Sequence, residues 1–163
     1  MKYIIVGAVA GGASTAARLR RMDEHAEIVI FEKGEYISYA NCGLPYYIGD
    51  VIKDRNKLFV QTASAFHQRF NIDVRVSTEV MSIDPVAKTV TAFNILKNES
   101  YTENYDKLVL SPGAEPVRPP LPGIQSDGIF HTTQCKRYRL RKSLCSEERR
   151  KESGSDRSGL YRT

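Results

Sequence analysis

Lys2-Tyr3-Ile4-Ile5-Val6-Gly7-Ala8-Val9-Ala10-Gly11-Gly12-Ala13 opens the chain, and its continuation to Glu32 decides the fold. Lys2 to Val6 is a short apolar run of the kind that forms a parallel strand buried on both faces. Gly7 to Gly12 turns the chain. Ala13 to Met22 then reads as a helix, with Ala13, Ala16, Ala17 and Leu19 for packing and Arg18, Arg20 and Arg21 beside them. Glu27 to Phe31 is a second apolar run, closed by Glu32. A helix N-terminus presents unpaired N–H groups and the positive end of its dipole, which together hold a pyrophosphate. Gly7 permits the tight turn, Gly12 lets the helix approach the strand, and a carboxylate at the end of the next strand accepts hydrogen bonds from a ribose diol. Glu32 stands 25 residues beyond Gly7. The middle glycine of G-x-G-x-x-G is Val9 here, which restricts backbone approach to the pyrophosphate; Gly11 offsets part of that restriction.

A chain of 163 residues with 41% apolar residues has room for one domain and a tail. No run approaches the length of a membrane span, and no basic segment followed by a cleavable apolar one opens the chain, so a soluble cytoplasmic protein is expected. Cys42, Cys135 and Cys145 show neither zinc-like nor disulfide-framework spacing, and no metal site is expected. The net charge of +5 is unevenly spread. Residues 1–134 carry 14 Lys and Arg against 15 Asp and Glu, a net of −1, whereas residues 135–163 carry 10 against 4, a net of +6. That asymmetry marks a boundary.

Beyond the polar turn Lys33-Gly34-Glu35, Gly43 and Pro45 place the start of a helix just after Cys42, because proline is tolerated in a first turn. A thiol there is shifted toward the nucleophilic thiolate. The alternative is a small buried hydrophobe, but the setting among polar and aromatic residues beyond a nucleotide-type turn favours the reactive reading. Ala63 to Phe70 reads as an amphipathic helix with Phe66 and Phe70 four apart and His67 on its surface. Asp73 to Ile83 alternates at strand period, Asp84 to Lys88 turns it, and Thr89 to Leu96 returns as a strand. Asn98 to Asn104 reads as a polar bend with room for one more short strand. Tyr105 to Leu110 is another buried strand, ending in Ser111-Pro112-Gly113-Ala114, where small residues leave space for a flat ligand. Val117 to Gly123 carries three prolines and reads as an extended crossing segment.

Four stretches carry a resemblance: Ile5 to Ala13, Phe31-Glu32-Lys33, Ser38-Tyr39-Ala40-Asn41-Cys42-Gly43-Leu44-Pro45-Tyr46, and Tyr105 to Ala114. Through them residues 1–134 resemble the flavin-binding N-terminal part of the single-cysteine pyridine nucleotide-disulfide oxidoreductases, in the branch of coenzyme A-disulfide reductase and its NADH oxidase-like and persulfide reductase relatives. Valine at the place of Val9 is usual in that branch. The resemblance implies an α/β, Rossmann-like FAD/NAD(P)-binding fold with an inserted antiparallel β-meander, incomplete at its C-terminal side. FAD would place its pyrophosphate on Gly7, Ala8, Val9, Ala10, Gly11 and Gly12 and its ribose on Glu32. Its adenine would lie near Lys33 and Val80, with Asn41, Ser111, Gly113 and Ala114 also contacting the cofactor. NADH or NADPH would supply electrons, and Cys42 would be the redox nucleophile. Tyr47 stands where two-cysteine reductases carry their second cysteine, and Ala10 where peroxidase-type relatives carry a histidine. Both absences favour a low-molecular-weight disulfide or persulfide as substrate. Ser14, Arg18, Arg21, Ser38 and Asn41 are candidates to line a coenzyme A channel; solvated helix charges are an equal reading of the arginines.

Family members continue into an NAD(P)H-binding domain and a dimerisation domain through which the full-length proteins form homodimers. After Thr133 this chain instead enters the basic segment 135–163, in which only seven residues are apolar or aromatic. That segment is expected to be disordered or marginally helical, a solvated tail rather than a nucleic-acid arm. Read one base later, allowed codons for Ser153 to Arg162 encode V-V-A-I-G-R-G-F-I-G, so a frameshifted remnant is one expectation for it. On this view one sheet face stays uncovered, flavin is weakly held, and the polypeptide alone has no NAD(P)H-dependent turnover. The competing expectations are an oxygen-reducing NADH oxidase working through a Cys42 sulfenic acid, and a non-catalytic FAD-binding fragment or gene remnant.

Overall fold

The computed structural model describes residues 1–115, 117 and 119–126. The basic segment 135–163, with the disorder and frameshift expectations attached to it, lies outside the described residues. In chain order the elements are β1 (Lys2–Val6), α1 (Gly11–Met22), β2 (Glu27–Phe31), α2 (Leu44–Ile48), α3 (Ala63–Phe70), β3 (Asp73–Arg75), β4 (Thr78–Asp84), β5 (Thr89–Asn94), β6 (Glu99–Asn104) and β7 (Lys107–Leu110). They fall into two units, one formed by Met1–Ala40 with Phe59–Ala114, the other by Asn41–Leu58 with the described residues of 115–126.

In the first unit a four-stranded sheet of order β3-β2-β1-β7 is parallel throughout. Successive residues of a strand face opposite sides, so an unbroken apolar run implies cover on both. Ile5, Ile28 and Ile30 pack with Ala13 and Ala16 of α1 and Phe66 of α3, while Ile4, Val29 and Phe31 pack with Val90 and Ala92 of β5. These six strand residues are at most 2% exposed, and each such Ile, Val or Phe stabilises the fold by about 1.5–3 kcal/mol. The expectation of an uncovered face is therefore not met over β1 and β2, because the meander covers one side and the helices the other. Exposure falls instead on the edge strand β7, where Leu110 is 58% exposed.

The alternation from Asp73 to Ile83 hides a change of sheet. β3 pairs in parallel with β2, and β4 begins an antiparallel sheet of order β4-β5-β6. The switch is made at Ser77, buried and at φ +50°. The short strand left open within Asn98 to Asn104 does form, as β6, and its polar side chains have partners. Glu103 accepts from Lys2 Nζ (2.5 Å) and from Arg75 Nη1 (2.7 Å), with Glu27 on Lys2 (2.7 Å) and Asp73 on Arg75 Nε (2.8 Å). The Arg75 guanidinium also lies over the rings of Phe31 and Tyr101. Burial alone would raise the Glu103 carboxyl, but the hydrogen bonds from Lys2 and Arg75 outweigh it and hold the group below the usual carboxylate range. Burial likewise works against the Lys2 charge, and its bonds to Glu103 and Glu27 still raise it. The cluster fastens the meander to the parallel sheet.

α3 is closed at both ends. Thr62 Oγ1 accepts the Ala65 N–H (3.2 Å), and Asn71, at φ +50°, donates to the His67 carbonyl (2.7 Å). His67 is exposed, as expected, and its Nδ1 meets the Ile72 carbonyl at 2.8 Å. Arg20 of α1 donates to the carbonyls of Phe70 (2.8 Å), Asn71 (2.8 Å) and Glu24 (2.6 Å), tying the ends of the two helices together.

In the second unit Asn41–Gly43 forms a 3₁₀ turn that runs directly into α2, with Pro45 in the first turn. The Val51 and Ile52 N–H groups both donate to the Tyr46 carbonyl (2.9 and 3.1 Å). The segment read as extended from Val117 has turns over residues 122–125, closed by Ile124 N–H to the Leu121 carbonyl (3.2 Å) and Ser126 N–H to that of Gly123 (2.9 Å). Among the described residues no helix is long and apolar enough to cross a membrane.

Candidate functional site

The glycine turn is built by three close contacts, two of them against backbone atoms. Gly7 adopts φ +93°, and a Cβ on it would overlap the Ser111 carbonyl oxygen at the end of β7. A Cβ on Gly12 would overlap the Gly7 carbonyl oxygen and stand 3.2 Å from Ile5 Cγ2, so Gly12 sets how closely α1 meets β1. A Cβ on Gly11 would overlap the Ser111 hydroxyl. At Gly11 the obstacle is a rotatable hydroxyl, so a side chain there would need Ser111 to shift. The Ser111 N–H donates to the Val6 carbonyl and the Gly7 N–H to that of Phe31, both at 2.8 Å.

α1 has an unusual start. Ala10 stands at its N-cap in a helical conformation and offers no side-chain hydrogen bond, and the first turn holds no acidic residue. The Ser14 N–H reaches the Ala10 carbonyl at 3.1 Å; the amides ahead of it have no intrahelical acceptor. α3 carries the Thr62 side-chain cap, whereas neither α1 nor α2 has one.

Glu32 follows β2 directly. Its Oε2 accepts the Ala8 N–H at 2.8 Å and its Oε1 the Gly34 N–H at 2.7 Å. Lys33 pairs with Glu79 of β4 at 2.6 Å, beside Val80, which is half-buried against the meander core. The structure therefore brings together the glycine turn, Glu32 and Ser111, with Lys33 held on Glu79 and Val80 packed in the meander core. Val9 is half-buried and Ala10 exposed. Gly113, at φ +80°, and Ala114 are exposed, and nothing lies within 4 Å of a Cβ built on Gly113. Ser14, Arg18 and Arg21 are exposed and spaced to share one face of α1. Ser38 sits beneath the turn at φ +48°, its N–H on the Ala8 carbonyl (3.1 Å) and its own carbonyl accepting from Val60 (2.8 Å). Cys42 and Asn41 belong to the second unit, where both are exposed and Cys42 is a free thiol. Gly34 escaped the sequence reading, since a glycine in a polar turn carries no mark of the carboxylate it must admit.

The family of pyridine nucleotide-disulphide oxidoreductases matches residues 1–149. The chain belongs to this family. It is 49% identical over 117 residues to coenzyme A disulfide reductase of Staphylococcus epidermidis (strain RP62A), a match over 72% of this chain and 27% of that protein. Among solved structures, reduced CoADR-RHD of Bacillus anthracis superposes with a TM-score of 0.86 at 50% identity, over 91% of this chain and 27% of that one. A NAD-dependent persulfide reductase from A. fulgidus gives 0.81 at 33% identity, over 91% and 27%. The water-forming NADH oxidase of Lactobacillus brevis gives 0.78 at 30% identity, over 86% and 31%. The chain thus spans about a quarter of the length of the coenzyme A disulfide reductases it matches. These relatives place it in an oxidoreductase lineage with a Rossmann-like fold.

Proposed function

We propose that this chain is the FAD-binding part of an NAD(P)H-dependent reductase that acts on a low-molecular-weight disulfide or persulfide, such as coenzyme A disulfide, through the single thiol of Cys42. Residues 1–134 form that part and residues 135–163 a separate basic tail, in a cytoplasmic protein whose whole-length form is a homodimer. The observation that carries the reading is the exposed, free Cys42 at the head of α2, on a chain whose glycine turn has the dinucleotide form.

The residues fit the adenosine half of FAD. α1 begins without a protein cap, which suits a diphosphate. Each Glu32 oxygen accepts one N–H, and a carboxylate oxygen has room for two, so both retain a place for a ribose hydroxyl. Val80 and the Lys33 stem would flank the purine, and Ser111, Gly113 and Ala114 would approach the flavin. When bound, FAD would carry electrons from NADH or NADPH to the thiol–disulfide couple.

The chain's own chemistry is thiol–disulfide exchange. The Cys42 thiolate attacks one sulfur of the substrate disulfide, the S–S bond breaks, and one thiolate leaves while the other half stays on Cys42 as a mixed disulfide. Two electrons and a proton then release the second thiol and regenerate Cys42. Ser14, Arg18, Arg21, Ser38 and Asn41 would hold the substrate, the guanidinium groups on its phosphates.

Mass spectrometry after exposure to coenzyme A disulfide tests the reading. One coenzyme A on the Cys42 peptide, formed faster than a glutathione adduct at equal disulfide concentration, is expected. Equal rates, or adducts only on Cys135 and Cys145, would count against it, and a sulfenic acid at Cys42 formed in preference under peroxide would favour an oxidase.

A further inference from the structure

Glu32 is engaged with the protein's own backbone. Its two oxygens each take one backbone N–H, Oε2 from Ala8 in the glycine turn and Oε1 from Gly34 in the turn after β2. The backbone that carries this carboxylate is itself anchored. The Glu32 N–H donates to the Arg75 carbonyl (3.0 Å), its carbonyl accepts from Thr78 (2.9 Å), and the Gly34 carbonyl accepts from Ser77 (2.9 Å). The Ser77 sheet switch therefore grips the Glu32 turn from one side while the carboxylate grips the glycine turn on the other. Among the described residues the glycine turn is also held by the Gly7 N–H on the Phe31 carbonyl, by the Ser38 N–H on the Ala8 carbonyl and by the Ser14 N–H on the Ala10 carbonyl, and no side chain caps the start of α1.

We propose that Glu32 is a positioning residue that sets the conformation of the glycine turn, and that a side chain at residue 34 would press the carboxylate out of this place. A Cβ built on Gly34 lies 3.0 Å from Glu32 Oε1, an unusually tight contact that the carboxylate must relieve by moving a few tenths of an ångström, and Gly34 does not need a positive φ, so this crowding is what alanine would meet there. A carboxylate is the one side chain of this length that accepts on both oxygens. Glutamine offers one acceptor and one NH₂ group, so facing two N–H donors it leaves at least one of the Ala8 and Gly34 amides unpaired. The consequence for binding rests on the ligand reading above; the ordering of the turn does not.

The test compares the 163-residue chain with Glu32→Gln and Gly34→Ala, without ligand, by amide hydrogen exchange. Amides of β1 and β2 report whether the fold is intact. Exchange at Ala8 or Gly34 is expected to quicken about tenfold or more in Glu32→Gln, and to a smaller degree in Gly34→Ala, which keeps the charge, with the strand amides unchanged. Affinity is then measured for ADP and for 2′,3′-dideoxy-ADP, which lacks the diol. If Glu32 positions the turn, dideoxy-ADP weakens in Glu32→Gln as well; if it serves only the ribose, dideoxy-ADP binds both proteins alike. Unchanged exchange at both amides, or unchanged dideoxy-ADP affinity, overturns the proposal. Should Glu32→Gln lose its strand protection, Gly34→Ala decides. Should the wild-type chain bind neither nucleotide, the ligand reading fails and the exchange result alone judges this one.

Discussion

Glu103→Gln removes the charge that joins the two sheets of the first unit. Lys2 Nζ at 2.5 Å and Arg75 Nη1 at 2.7 Å converge on this carboxylate, with the three side chains 17%, 29% and 18% exposed for Lys2, Arg75 and Glu103. Glutamine keeps the shape and one acceptor but turns an NH₂ group toward a cation. A hydrogen bond to a charged group contributes about 1.5–3 kcal/mol net. Neither cation is left bare, because Lys2 keeps Glu27 and Arg75 keeps Asp73. The partial exposure and these remaining partners reduce the loss to about 2 kcal/mol at pH 7, a fall of about 4–8 °C in Tm for a chain of this size. Thermal unfolding followed by far-UV circular dichroism measures it. The pH dependence has a definite sign. Although burial opposes its charge, the bonds from Lys2 and Arg75 leave Glu103 with a lowered pKa in the folded state. Its contribution is then complete above the unfolded value of about 4.3 and disappears as pH falls through the lower folded value. The Tm gap between wild type and Glu103→Gln should therefore be full at neutral pH and close in acid. A gap under about 1 °C at pH 7, or one that persists unchanged in acid, would refute this account of the cluster.

Gly12→Ala drives a methyl into the Gly7 carbonyl and should cost about 1–3 kcal/mol, read as a lower urea midpoint, together with weaker ADP binding. Arg20→Ala strips donors from the Phe70, Asn71 and Glu24 carbonyls and should destabilise by about 2–3 kcal/mol; Arg20→Lys should recover only part, since one ammonium cannot reproduce a planar fork. Cys42→Ser, at an exposed position, should leave Tm within about 1 °C while abolishing coenzyme A transfer from its disulfide. A large fall in Tm would show that Cys42 is structural.

Apolar runs and glycine positions made the first βαβ unit and the start of α2 readable, because buried parallel strands and first-turn prolines leave direct marks on composition. The two-sheet arrangement was not readable from Asp73 to Ile83. Strand period is the same whichever sheet a residue joins, and Ser77 carries no signature of its positive φ. β6 could be read only as a bend with room for a short strand because Glu99, Glu103 and Asn104 are polar; the cations that satisfy Glu103 come from Lys2 and Arg75, far away in sequence. In the site, Gly7, Gly12 and Glu32 could be singled out from a known spacing. The crowding a side chain would meet at positions 11 and 34 comes from the Ser111 hydroxyl and the Glu32 carboxylate, contacts that exist only once the strands are assembled.

The central claim is that a dinucleotide's diphosphate rests on the glycine turn ahead of α1. Titration of the isotopically labelled chain with ADP, followed by amide chemical shifts, tests it most directly. Saturable shifts at Gly7 to Ala13 and at Gly34, absent when adenosine alone is added, are predicted. Saturable shifts confined to other residues, or a turn that stays unperturbed while ADP binds, would contradict it.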